Sequence, residues 1–153
     1  MKDETEEHEI KTFFQHNTNI LIQTPFNLNW LDEISVYETI KTIDIGISPL
    51  LDNEFNRGKS AFKLKQCMSC GVPVLGTIVG ENKRFLTDGM NGYLCDNPKD
   101  FLEKIVSIKN SHNGSYQNLS INAKTTYSAF SIDQYCLTFI KGFTQKPLNR
   151  SLL

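Results

Sequence analysis

One stretch limits the fold more than any other: Arg57-Gly58-Lys59-Ser60-Ala61-Phe62-Lys63-Leu64-Lys65-Gln66-Cys67-Met68-Ser69-Cys70-Gly71-Val72-Pro73-Val74-Leu75-Gly76. It reads as a glycine-led basic helix start, a helix from about Ser60 to Cys70, a stop at Gly71 and a buried strand from Val72 to Gly76. The first turn of a helix leaves backbone N–H groups unpaired and carries partial positive charge, which suits an anion such as a phosphate. Lys59 and Lys63 add full charge at that end.

At 153 residues the chain is long enough for one domain with a real core, but not for two full domains of this kind. Its 39% hydrophobic and 22% charged content is ordinary for a globular protein. A net charge of −1 gives no reason to expect a nucleic-acid partner. The sequence has no apolar run long enough for a transmembrane segment, and the acidic start, Met1 to Glu9, lacks the apolar core of a secretory signal. The expectation is a cytoplasmic protein.

Of the four cysteines, Cys67 and Cys70 form a C-x-x-C, which could be a redox pair or half of a zinc site. No second pair or histidine spacing completes a ligand set, and Cys95 and Cys136 are isolated, so small structural residues and no metal site are expected. His8, His16 and His112 fit no catalytic pattern and are expected at the surface.

Along the chain, residues 1–15 form a polar segment, frayed or briefly helical, and Asn19 to Gln23 reads as a strand. Leu31, Ile34, Tyr37, Ile40 and Ile43 recur with helical spacing, giving an amphipathic helix from Trp30 to Ile43. Ile43 to Ile47 is a buried strand stopped by Ser48-Pro49, and Leu50 to Arg57 is a polar loop. After the central helix and strand come a short helix (Asn82 to Thr87), a turn cluster (Asp88 to Gly92) and a strand (Gly92 to Cys95). Asn97-Pro98 opens a helix carrying Phe101, Leu102, Ile105, Val106 and Ile108 on one side. Helices from Tyr116 to Ser128 and from Ile132 to Phe143 close the chain, the second capped by Ser131. Short apolar strands alternating with helices argue an α/β fold with a parallel sheet and flanking helices.

In the central helix Ala61, Leu64 and Met68 should face the sheet, while Lys59, Lys63, Gln66 and Cys70 share another side. Such a polar stripe fits the crevice at the carboxyl ends of parallel strands, where open α/β sheets bind ligands, and it also fits a simply solvated face. Gly58-Lys59-Ser60 is not a phosphate-binding P-loop, because that motif needs a glycine where Asn53 stands and a strand directly before it.

The order of motifs resembles the donor-binding C-terminal domain of the two-domain (GT-B) retaining glycosyltransferases, family 4 or group 1. The residues that carry the resemblance are Ile43 to Leu50, Gly58-Lys59-x-x-x-Lys63-Leu64, Gln66 to Val74, Val79-Gly80-Glu81-Asn82, Asp88 to Leu94 and Phe130-Ser131. The resemblance implies a Rossmann-like sheet lacking its first strands, with a partial donor-binding domain over residues 16–145 and a C-terminal tail over 146–153. It implies a hexosyltransferase part of polysaccharide biosynthesis that binds a nucleotide-sugar donor, uses no separate cofactor, and is inactive without an N-terminal acceptor-domain polypeptide. The donor would lie on Gly58, Lys59, Ser60, Ala61, Lys63, Gln66, Gly80, Glu81 and Asn82.

Two departures bear on that reading. The family's paired glutamates stand at positions occupied here by Gly58 and Gln66. The glutamine amide can still hydrogen-bond ribose hydroxyls, although a charged acceptor binds more strongly. No residue matches a catalytic role. A non-catalytic α/β module binding a nucleotide or a partner chain is the alternative expectation.

Overall fold

A computed structural model gives the fold, with residues 8, 12, 28–29, 31–111 and 114–144 described. The expected strand at Asn19 to Gln23, most of the N-terminal segment and the 146–153 tail lie outside those residues. The chain divides into two compact units, Met1–Val36 and Tyr37–Leu153. In the first, the Asp32 carboxylate accepts the Ile34 N–H at the start of helix α1 (Glu33–Ile40). There Leu31 and Ile34 are exposed, unlike the inward face their spacing predicts.

The second unit is built on three parallel strands in the order β1 (Gly46–Ser48), β2 (Val74–Thr77) and β3 (Gly92–Cys95). Helices α2 (Glu54–Arg57) and α3 (Phe62–Ser69) connect β1 to β2, and α4 (Asn82–Phe85) connects β2 to β3. Then follow α5 (Pro98–Lys109), α6 (Ser115–Ser128) and α7 (Ile132–Thr144). The expected α/β architecture is present. Strand β1 begins later than Ile43 because α1 ends in a turn, with Thr42 and Ile43 N–H donating to Thr39 and Ile40 carbonyls.

Register explains how α3 reaches the sheet. Val74 pairs with Gly46 on one side and Gly92 on the other. A Cβ on Gly46 would stand 2.8 Å from Cys67 Sγ of α3, and one on Gly92 would strike the Val74 carbonyl. The missing side chain at Gly46 leaves room for α3 and that at Gly92 for Leu86, and Ala61, Leu64 and Met68 pack with Val74, Phe85, Leu86 and Ala123. The opposite face buries Leu75, Cys95, Ile108 and Leu119, backed by Ile45, Phe101 and Ile105.

The end of α3 is set by local chemistry. Gly71 N–H donates to Met68 O and Val72 N–H to Cys67 O, the paired bonds of a Schellman stop, with Gly71 at φ +74°. A side chain there would be strained and would meet Ser120 Oγ at 3.1 Å. Helix α5 starts as expected, with Asn97 Oδ1 accepting the Lys99 and Asp100 N–H groups and Pro98 in the first turn. Helix α7 starts with Ser131 Oγ accepting the Gln134 N–H.

Three expectations are corrected. Leu50 to Arg57 is not all loop, because Asn53 Oδ1 accepts the Asn56 N–H and nucleates α2. Helix α3 begins at Phe62 rather than near Ser60, since the preceding residues close α2, with Gly58 and Lys59 N–H donating to Phe55 and Asn56 carbonyls. On α5 only Phe101, Ile105 and Ile108 turn inward, while Leu102 and Val106 remain exposed.

Met68→Ala removes a side chain with no solvent exposure and should cost about 2–5 kcal/mol. Val106→Ala, on the exposed side of α5, should cost less than about 0.5 kcal/mol. Urea unfolding of both variants checks the contrast.

Candidate functional site

Two loops leave the carboxyl ends of neighbouring strands and meet in front of α3. The loop after β1 carries α2 and enters α3 through Gly58, Lys59, Ser60 and Ala61. The loop after β2 passes Val79, Gly80 and Glu81 into α4. Gly80 sits at φ +59°, and a Cβ there would lie 2.8 Å from the Asn56 carbonyl and 3.4 Å from those of Arg57 and Lys59. Both the backbone conformation and the closeness of the two loops exclude a side chain.

Buried amides fix this junction. Asn56 Nδ2 donates to Leu51 O at 2.9 Å, and Leu50 N–H donates to Thr77 Oγ1 at 2.9 Å. Asn82, only 1% exposed, donates from Nδ2 to Ser48 O at 3.2 Å and stands within 3.4 Å of Ser48 Oγ. Its buried Oδ1 has no hydrogen-bond partner among the described residues. Asn91, in the turn after α4, accepts the Thr87 N–H and donates to Phe85 O and Thr126 Oγ1, so it ties that turn to α6.

Helix α3 starts without a capping side chain of its own, since Ala61 occupies the N-cap position. Glu81, arriving on the other loop, takes the N–H of the N-cap residue itself. Its Oε2 receives the Ala61 N–H at 3.4 Å and lies 3.6 Å from Lys65 Nζ. Its Oε1 lies 3.7 Å from the Arg84 guanidinium. Lys65 also lies over the Phe85 ring, 4.3 Å from its centroid, and is held between an aromatic face and a carboxylate.

The expected site residues divide into two groups. Gly58, Lys59 and Ala61 come together with Gly80 and Glu81 at the loop junction, and Ser60 lies exposed between Lys59 and Ala61. Lys59 precedes α3 instead of lying on it, and its ammonium rests 4.8 Å from the centroid of Phe55. Lys63 is exposed and Gln66 half-buried farther along the helix, while Asn82 faces the strand ends. Lys65 and Arg84 complete the charged centre and were not singled out by the sequence pattern. Their signal is positional: Lys65 lies one turn inside the helix from Ala61, and Arg84 follows Glu81 at i+3 spacing.

Nearby Arg57 is already engaged, its Nε and Nη2 donating to the two Asp52 oxygens at 2.6 and 3.1 Å. That pair holds the Asp52 carboxyl below its usual range. A cavity of about 420 Å³ opens beside Arg84, bordered also by Phe130, Tyr135 and Phe139.

Cys67 and Cys95 behave as packing residues, whereas Cys136 is exposed. Cys67 lies against Gly46, and burial, then the adjacent Cys70, pushes its thiol up to about 11. Cys95 is buried and likewise raised by burial, and all four thiols are free. Among the described residues no group of three His, Cys, Asp or Glu side chains could hold a metal, and no helix is long and apolar enough to cross a membrane.

The chain as a whole resembles known proteins. Residues 12–111 match the model of the family described as Glycosyl transferases group 1. The chain belongs to that family. In three dimensions it is similar to the C-terminal domain of a glycosyl transferase group 1 family protein (LpcC) from Francisella tularensis, with a TM-score of 0.65 at 16% identity. The match covers 85% of this chain and 65% of that one, so the chain spans a little under two thirds of the solved domain. It confirms a GT-B C-terminal fold. No curated protein matches the chain in sequence.

For this family member the cysteine environment yields a direct expectation. At pH 8 iodoacetamide should modify exposed Cys136 in the native protein and leave Cys67 and Cys95 unmodified, as read by intact mass. The folded Cys67 keeps its proton to about pH 11, whereas its ordinary value is 9.0. The unfolded chain therefore loses that proton first, and stability should fall as pH rises from about 9 towards 11.

Proposed function

We propose that this glycosyltransferase-family chain supplies the donor wall of a hexosyltransferase and binds a nucleotide sugar through its diphosphate. The observation that carries the reading is the start of α3, where an uncapped helix end and Lys65 have drawn in the carboxylate of Glu81. Anions are stabilised at such a position by unpaired N–H groups and the helix dipole. Lys59 and Lys63 stand exposed on the solvent side, ready for a more highly charged ligand.

In the reaction, the bond between the sugar's anomeric carbon and the diphosphate oxygen breaks as an acceptor hydroxyl oxygen bonds to that carbon, and the hydroxyl proton passes to the leaving diphosphate. The leaving diphosphate gains negative charge, and positive groups already oriented towards it lower the barrier. The N–H groups of Phe62 and Lys63, with Lys59, Lys63 and Lys65, would serve that role. Gln66, half-buried on the same helix, would meet the ribose hydroxyls. No residue of this wall is placed to activate an acceptor hydroxyl. Transfer therefore requires an acceptor-binding domain on the other side of the donor, and this chain alone should be inactive.

A second reading, a non-catalytic module that binds a partner chain, is favoured by α7. Ile132, Tyr135, Phe139, Ile140 and Phe143 are all more than half exposed on that one helix.

Calorimetry with UDP-, GDP- and ADP-sugars separates the two readings. Donor binding that weakens about ten-fold in both Lys65→Ala and Gln66→Ala would match the loss of one polar contact each. Binding that is absent in the folded chain, or equal in wild type and both variants, would favour the partner-binding module.

A further inference from the structure

Among the described residues, Glu81 is the acidic side chain in the junction whose partners all belong to the anion-binding centre: the Ala61 N–H, Lys65 and Arg84. It comes from a different strand loop than the helix it caps. Its contacts, at 3.4, 3.6 and 3.7 Å, are long for charge-assisted bonds, and its side chain is 36% exposed. A structural cap would be short and sheltered; this one is loose and open to solvent. The backbone beneath it is firmly held, because Gly80 is pressed against three carbonyls and Asn82 is anchored to Ser48. Any movement of the carboxylate would therefore be confined to the side chain.

We propose that Glu81 is an intramolecular stand-in for the ligand anion, holding the start of α3 when the site is empty and swinging out when a diphosphate arrives. The proposal rests on the donor-site reading and adds to it a competitor within the chain. Displacement would return Lys65 and the Ala61 N–H to the ligand. The displaced carboxylate keeps Arg84 within reach as a partner in solvent. A site occupied by its own competitor binds ligand more weakly by the fraction of time it is blocked. Removing the competitor's charge therefore tightens binding, the reverse of the effect expected if Glu81 grips the donor.

The test is Glu81→Gln in the full chain, titrated calorimetrically beside wild type with inorganic pyrophosphate and with UDP, GDP and ADP. Ligand-free thermal melts verify that the variant is folded. The expected result is about three- to ten-fold tighter binding of pyrophosphate by the variant, with the same gain for any nucleoside diphosphate bound. Unchanged or weaker pyrophosphate binding in the variant, or none in either protein, overturns the proposal. The donor-site reading is judged separately. A gain for pyrophosphate with no preference for any nucleotide over it supports the competitor and counts against the nucleotide site. A nucleotide preference in wild type that survives without any gain in the variant does the opposite.

Discussion

The close approach of α3 to the sheet is the contact on which the rest of this structure depends. It is possible because β1 presents Gly46 beneath Cys67, while Gly92, on the other side of Val74, leaves room for Leu86 and for the neighbouring strand. Cys67 fills the space above Gly46, and Leu64 and Met68 are sealed from solvent. Interiors packed at crystal-like density transmit such constraints. With its inner face fixed and its end closed at Gly71, the helix can start only in front of the carboxyl ends of β1 and β2. The location of the candidate site is thus a consequence of core packing.

What the site can hold depends on local charge more than on the whole chain, whose net charge is −1. Arg57 is neutralised by Asp52, and Lys65 and Arg84 share Glu81. Lys59 and Lys63 remain exposed without a carboxylate bonded to them among the described residues. Around the α3 start the balance is positive, and charges more than about 8–10 Å away are screened at physiological salt. A compact, multiply charged anion suits this pattern better than an extended polyanion does.

Much of the fold was legible because its signals are local. Asn97-Pro98, Ser131 and Gly71 act on backbone groups within a few residues, and each does what its type and position predict. The burial of Ala61, Leu64 and Met68 follows from helical spacing alone. Two kinds of feature were not legible: a short capped turn inside a polar stretch, and contacts between residues distant in sequence. Asn53 reads as a loop residue until its cap on Asn56 is seen, and the shift of the α3 start follows from the α2 it creates. The inward and outward halves of α5 separate because β3 covers only part of an apolar stripe. At the site, Gly80, Glu81 and Asn82 stood out by motif, but the pairing of Glu81 with Lys65 is a tertiary fact.

The family match extends this division between local and distant signals. A TM-score of 0.65 at 16% identity means that the fold persists while most side chains differ. What a backbone of this kind must keep are the positions where no other residue fits: a glycine under a crossing helix, a glycine at a helix stop, a glycine pressed against a neighbouring loop. Side chains around the start and along the open face of α3 are freer, because a helix start attracts anions through its backbone whichever residues surround it. Gln66 and Glu81 are of this second kind. Where the resembled family carries glutamates at the positions of Gly58 and Gln66, this chain has neither, and the carboxylate of Glu81 reaches the start of α3 from the other loop. On the proposed donor reading, charge at the helix start would compete with a diphosphate, whereas charge at position 66 would meet neutral hydroxyls. On that reading this wall alone would hold a donor weakly, and contacts from a partner domain would add to the affinity.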